Sequence, residues 1–217
     1  MMQEYHKIET LFERATNGSK KLIPWKWRND TIAYLADFNW IWTEKVDGTN
    51  IRIHWDGHNI NFGGRTERAQ IPVDLMNYLT RTFLSEETEQ LFEQEFGEKE
   101  VTLYGEGYGP KIQKGGGLYR DDASFILFDV QVGGWWLKRD DVESIAETFG
   151  IDVVPVVGIG PLGAAIDYIK AGPVSLLSNK AQMEGLVCRP VVELHDRAGK
   201  RLIVKVKYRD FKDFEEE

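Results

Sequence analysis

The chain of 217 residues holds one cysteine and seven prolines, and its charge has no positive surplus. The lone Cys188 excludes an internal disulfide and supplies no cluster for a zinc site. No apolar run approaches the ~18 to 20 residues that span a bilayer, so no membrane partner is expected. The opening Met1-Met2-Gln3-Glu4-Tyr5-His6-Lys7 lacks an apolar signal core, which points to a cytoplasmic protein. Internal repeats, low-complexity segments and long Pro/Gly/Ser linkers are missing as well. No domain boundary is therefore read, and residues 1–217 are expected to form a single domain. With 27 Lys plus Arg against 35 Asp plus Glu, a formal net charge of -8, the chain is not a generally basic protein that coats nucleic acid. What it does have is 42% hydrophobic and 12% aromatic residues, which excludes intrinsic disorder.

The negative charge is local. Residues 86–100 hold seven Glu and one Lys, a net of -6, and Glu215, Glu216 and Glu217 add -3. Without these two segments the formal charge rises from -8 to +1. Leu91, Phe92, Glu95 and Phe96 recur at helical spacing, so the acidic stretch reads as an amphipathic helix with a solvated face. Ser85 is positioned as its N-cap.

Alternation over 49–55 puts Ile51, Ile53 and Trp55 on one face and Asn50, Arg52 and His54 on the other, the pattern of a half-buried strand. Asp56-Gly57 then turns the chain toward a hairpin partner at 59–62. Residues 73–83 and 162–171 read as helices, as does a stripe of Val142, Ile145, Ala146 and Phe149 that Asp140 is placed to cap. Strands are expected at 101–105, 123–132, 151–157, 184–189 and 201–208. Hairpins without regular βαβ alternation predict an α+β fold of antiparallel sheets.

Several segments carry chemistry. In Glu44-Lys45-Val46-Asp47-Gly48-Thr49-Asn50 a lysine precedes a tight turn. That is the pattern of a surface turn, and equally of a lysine nucleophile where a ligand approaches the backbone. Over 201–208, alternation sets Lys205 and Lys207 on one face and Val204 and Val206 on the other. Such lysines suit an exposed edge strand, or a pair of cations aimed at a phosphate. Gly63-Gly64-Arg65 follows a hairpin strand. Gly105-Glu106-Gly107 isolates a carboxylate between glycines. Phe128-Asp129 lies in an apolar strand, and Glu184-Gly185 opens another.

Taken in order, Lys45-Val46-Asp47-Gly48, Gly105-Glu106-Gly107, Phe128-Asp129, Glu184-Gly185 and Lys205-Val206-Lys207 resemble the motifs of the covalent nucleotidyltransferases, the superfamily of ATP-dependent DNA and RNA ligases and mRNA-capping enzymes. Asn50, the run Gly105–Lys114 and the opening Tyr5-His6-Lys7-Ile8-Glu9 are most similar to the RNA ligase 2 family of nick-sealing phage and editing ligases. The resemblance implies a nucleotidyltransferase domain of antiparallel sheets flanked by helices, with no room for the appended OB or C-terminal helical domain of relatives. Arg189 departs from the lysine that usually ends the fourth motif, a change that keeps charge but not geometry.

The resemblance further implies an ATP-dependent RNA ligase. Lys45 attacks the α-phosphorus of ATP and expels pyrophosphate. The AMP passes to an RNA 5′-phosphate, and a 3′-hydroxyl displaces it. A free lysine has a pKa of ~10.4, so about one in a thousand is the neutral nucleophile near neutral pH. Lys205 and Lys207 are the catalytic cations expected to favour that form and to neutralise phosphate charge. Glu184 is expected to hold Mg2+ or Mn2+, with Asn50 reaching its water shell or the ribose. Arg65 and Glu106 are assigned to the sugar-phosphate and the ribose, Phe128 to the adenine face, Glu44 to the adenine edge through its backbone, and Asp129 to support. RNA contacts fall to Lys111, Lys114, Arg120 and the cluster Lys20, Lys21, Lys26 and Arg28, with which Trp25 and Trp27 interleave. A separate RNA-binding subunit is a possible partner. A DNA ligase, a GTP-using capping enzyme and a non-catalytic nucleotide-binding module stay open as alternatives.

Overall fold

The structure is a computed structural model that describes residues 2–212; the acidic tail Glu215, Glu216, Glu217 lies outside them. In chain order the elements are β1 (Glu9–Thr10), β2 (Phe12–Arg14), β3 (Leu22–Trp27), α1 (Asp30–Leu35), β4 (Trp40–Lys45), β5 (Thr49–Trp55), β6 (Ile60–Gly63), α2 (Val73–Phe83), α3 (Glu86–Phe96) and β7 (Val101–Tyr108). Then follow β8 (Ser124–Val132), β9 (Trp135–Trp136), α4 (Arg139–Thr148), β10 (Asp152–Val153), β11 (Val156–Gly160), α5 (Leu162–Lys170), β12 (Gly185–Pro190), β13 (Val204–Lys207) and α6 (Tyr208–Phe211). The chain divides into two compact units: Met1–His6 with Asp47–Val154, and Lys7–Val46 with Pro155–Glu217. The α+β class is as expected.

The unit built on 47–154 is a sheet of order β10-β8-β7-β5-β6, with β9 paired to β8. Asp56 closes the β5–β6 hairpin by accepting from the His58 and Asn59 amides, and Gly57 takes the left-handed φ of +98° that the turn needs. The helical spacings in the sequence become buried stripes: Leu75, Leu79 and Phe83 of α2, Phe92 and Phe96 of α3, and Val142, Ile145 and Ala146 of α4 join Ile51, Ile53, Leu103 and Phe125 in one core. Each of these side chains except Ala146 contributes roughly 1.5–3 kcal/mol of burial. Ser85 caps α3 by accepting from the Thr88 amide, and the glutamates of α3 are exposed.

Several expectations need correction here. Strand β5 is not half-buried, because Arg52 on its second face is 1% exposed. Asp140 does not cap α4; Lys138 holds the N-cap position without a side-chain bond, and Asp140 lies in the first turn. The β-branched run 151–157 divides between β10 and β11, one in each unit.

The other unit is a sheet of order β1-β13-β12-β4-β11, antiparallel apart from the β1–β13 pair. Leu162, Ala165, Ile166 and Ile169 of α5 pack with Trp40, Trp42, Leu186, Val204 and Val206. Strand β13 is shorter than the expected 201–208: Tyr208 starts α6, and Arg201 is drawn into an ion pair with Glu193 at 2.7 Å. It lies between β1 and β12 rather than at an edge. Among the described residues no helix is long and apolar enough to cross a membrane.

Candidate active site

Three strands of the second unit place Lys45, Gly185 and Lys207 in a row. Lys45, the last residue of β4, pairs in register with Gly185 at the start of β12, and Gly185 pairs with Lys207 at the end of β13. Residues on one rung of a sheet share a face, so Lys45 and Lys207 flank a position that has no side chain. Gly185 is required there, since a Cβ would collide with the Val206 carbonyl. Glu184 bridges the gap. Its Oε2 accepts from Lys45 Nζ at 2.7 Å and its Oε1 from Lys207 Nζ at 2.5 Å. Burial pushes the Glu184 carboxyl up, but Lys45 and Lys207 outweigh it and hold the group below the ordinary carboxylate value.

Lys205 sits two rungs along on the same face of β13, opposite Val187, which in turn faces Thr43. Its Nζ donates to the Ile8 carbonyl at 2.9 Å. Burial, then the charges of Lys207 and Lys45, pull its ammonium down to about 8. The row is thus a cluster of three lysines around one carboxylate, suited to receiving an anion with more charge than Glu184 supplies. Glu44 points away from this face. It is 1% exposed, and its carboxylate accepts from the Ser175 hydroxyl and, at 2.8 Å, from the Leu176 amide. Desolvation raises its pKa against those two bonds.

In the first unit Asn50 of β5 is in register with Glu106 of β7. Glu106 lies within β7, which runs on past the expected end at 105 through Tyr108. The flanking glycines have a packing reason, for a Cβ on Gly105 would collide with the Phe125 ring and one on Gly107 with Leu75. That face is full, and the carboxylate stands on the other. Among the described residues the buried Asn50 Oδ1 has no hydrogen-bond partner, an arrangement that stability alone disfavours. Gln113 Nε2 donates to the Gly48 carbonyl at 2.9 Å and fixes the turn before Asn50.

Phe128 occupies a β-bulge. Tyr104 pairs with Asp129 but Gly105 pairs with Leu127, leaving Phe128 as the extra residue of β8. Bulges re-aim side chains beside functional sites. The Tyr5 ring meets Phe128 edge-on at 5.0 Å, and its hydroxyl donates to Asp129 Oδ2 at 2.8 Å. Arg65 is exposed on the loop after β6. Beneath that loop Arg52 donates to the Gly64 carbonyl and to the Met2 carbonyl, each at 2.8 Å. Among the described residues no group of three or more His, Cys, Asp or Glu is placed to hold a metal. Cys188 is buried, and burial raises its thiol, so it offers no nucleophile.

The profile of the RNA ligase family matches residues 38–207, a span that begins before Lys45 and ends on Lys207. The chain belongs to the RNA ligase family. It is similar to solved structures of the Naegleria gruberi RNA ligase: one with PPi (22% identity, TM-score 0.59, covering 80% of this chain and 50% of that one) and a mutant with ATP and Mn (20% identity, TM-score 0.64, covering 95% and 56%). A second mutant, with AMP and Mn, is 19% identical with a TM-score of 0.63. At these identities the likeness is one of fold, and the chain spans about half the length of these structures. No curated protein sequence matches the chain.

Within this family member, Lys45, Glu184 and Lys207 meet directly, with Lys205 beside them. Asn50 and Glu106 share a rung, as register partners on the adjacent strands β5 and β7. Phe128 and Asp129 are joined through Tyr5. Sequence reasoning missed Ser175 and gave Tyr5 and Arg52 no role in the site. An arginine on the alternate face of an apolar strand was a signal for the last; Ser175 is far from Glu44 in sequence and gave none.

Proposed function

We propose that the chain is an ATP-dependent RNA ligase domain, 1–217, working through a lysyl-AMP intermediate in the cytoplasm. The observation that carries this is the row Lys45–Gly185–Lys207 with Glu184 across it. Family membership supports the RNA substrate class, and the ATP, AMP and Mn of the Naegleria structures support the nucleotide and the divalent cation.

Lys45 is the nucleophile. Its neutral amine forms the N–P bond to the α-phosphorus as the P–O bond to pyrophosphate breaks, and the amine sheds its second proton to water. Glu184 orients Nζ from 2.7 Å. Because Lys207 shares the carboxylate, Lys45 is not held in an exclusive pair and can leave it to attack. Lys205 and Lys207 neutralise charge on the α-phosphate as it becomes five-coordinate. A divalent cation, Mg2+ or Mn2+, takes oxygen ligands and suits a set of one protein carboxylate, substrate phosphates and waters; Glu184 is its proposed protein ligand, and it would supply charge neutralisation to the leaving pyrophosphate. The orphaned Asn50 Oδ1 fits a role toward a ligand water or the ribose, Glu106 toward a ribose hydroxyl, Arg65 toward the sugar-phosphate, and Phe128 toward the adenine face. The Glu44 carboxylate is already engaged, so its proposed part at the adenine edge falls to backbone. Asp129 positions Tyr5, and through it Phe128. AMP then passes to an RNA 5′-phosphate, and the 3′-hydroxyl displaces it.

Incubation with α-labelled ATP and Mg2+ should label the protein, and Lys45→Ala should abolish the label. Joining of a 5′-phosphorylated RNA should follow; labelling by GTP in place of ATP would point to capping chemistry, and sealing of all-DNA nicks in preference to RNA to a DNA ligase.

A further inference from the structure

The hairpin of β2 and β3 carries the most unusual backbone in the chain. Register runs from Phe12↔Trp27 to Arg14↔Leu22, so β3 spends three more residues than β2 over the same length. Inside this wide bulge Trp25 takes a φ of +57°, a left-handed conformation that a bulky aromatic rarely adopts and that marks functional strain when the surroundings enforce it. The Trp27 and Trp25 rings both pack edge-on against the buried Phe12, at 4.9 and 5.6 Å. The result is an indole that is 46% exposed.

The turn of the same hairpin is also held rigid. Arg14 donates to the Lys20 carbonyl at 2.6 Å and pairs with Asp210 at 2.6 Å, which fixes Lys20 at a φ of +55°. Lys20 and Lys21 are exposed and, among the described residues, form no ion pair. Lys26 and Arg28 reach Glu13 and Glu9 at 2.9 and 3.1 Å, but these pairs are solvent-exposed. Residues 7–28 hold six Lys or Arg against two Glu, in a chain whose net charge is -8.

We propose that this hairpin is a strand-binding platform for single-stranded RNA, with a base stacked on Trp25 and the flanking phosphates drawn to Lys20 and Lys21. A rigid exposed indole next to unpaired ammonium groups is the combination that single strands recognise, since every base has a π-face and every phosphate a charge. The platform rests on the RNA-ligase reading for the choice of RNA.

The test is anisotropy of a 5′-phosphorylated, fluorescein-labelled single-stranded RNA on the full chain, with self-labelling by ATP followed in parallel. Trp25→Leu should weaken RNA binding about tenfold, while Trp25→Tyr, which keeps a π-face, should stay within about twofold. Lys20→Ala with Lys21→Ala should lower the slope of log affinity on log salt by about 1.4, at ~0.7 per phosphate contact. Labelling by ATP should be unchanged in all of them. RNA affinity and salt slope unaffected by these changes would overturn the platform and leave the adenylylation reading intact. RNA binding through Trp25 with no ATP label in wild type would do the reverse. Loss in Trp25→Leu of binding to phosphatidylserine vesicles rather than to RNA would assign the face to a membrane and also overturn the platform.

Discussion

Glu184 holds two ammonium groups, and its chemistry sets two expectations. Its folded pKa lies below the ordinary carboxylate value of 4.5, so the unfolded state binds more protons in acid. The stability it contributes is present above pH 4.5 and is lost as pH falls through the folded value. Glu184→Gln should flatten that acid limb in thermal melts at pH 3 to 6 and lower the rate of lysyl-AMP formation by at least about 100-fold, the scale of losing one preorganised charge contact. Glu44 has the opposite sign. Its pKa is raised, so stability falls as pH rises from 4.5 through the folded value, and Glu44→Gln should remove that slope. Asn50 is the plainest case of a residue kept against stability: burying an unsatisfied oxygen costs about 1–3 kcal/mol. Asn50→Ala should leave the melting temperature unchanged or higher while labelling by ATP falls, and a melting temperature that drops with full labelling would contradict the functional assignment.

At the level of elements, the site depends on strands packed too closely for side chains. Gly105 and Gly107 lie against Phe125 and Leu75, and Gly185 against Val206. Alanine at any of the three should destabilise by about 1–3 kcal/mol through overpacking, read as a fall in denaturant midpoint. Gly185→Ala should also slow labelling more than the other two, because it pushes β13, and with it Lys207, away from Lys45. The same two-residue period that made 49–55 and 201–208 readable as strands gave the shared face of Lys205 and Lys207. It did not give the bulge that sets Phe128 apart or the three-residue register gap around Trp25. Bulges are settled by which partner strand arrives and how the cores on both faces fit, and that information is not local.

For the whole molecule, the net charge of -8 is concentrated rather than spread, with the exposed glutamates of α3 supplying much of it. The lysine cluster works against this background. Lys205 loses its proton near pH 8, which brings stability with the sign of a depressed lysine: it rises as pH climbs from about 8 toward 10.5, where the unfolded chain still binds the proton. ATP affinity should move the other way, weakening as pH passes through about 8, with Lys205→Arg holding its charge and removing that limb. ATP titrations of both proteins between pH 6.5 and 9.5 check the affinity, and thermal melts between pH 7 and 10.5 check the stability. RNA binding should be weak because few phosphate contacts are available, and each contact should cost ~0.7 in log affinity per tenfold rise in salt; joining that persists unchanged to several hundred millimolar salt would contradict this.

The sequence by itself determined the residue types and their order: a lysine before Asp-Gly, a carboxylate between glycines, Glu-Gly at the head of a strand, two lysines on one face, and helices whose apolar stripes survive in the structure at 73–83, 86–96 and 162–170. Those are local properties, fixed by spacing and by the period of each element. Only the tertiary structure decided that Lys45, Glu184 and Lys207, separated by up to 162 positions in the chain, meet across one glycine. It also decided that Arg52 is buried, that Ser175 closes on Glu44, and that Tyr5 links Phe128 to Asp129. Each of these is a contact between distant segments, set by strand register and by the space the core leaves, and no periodicity in the chain records either.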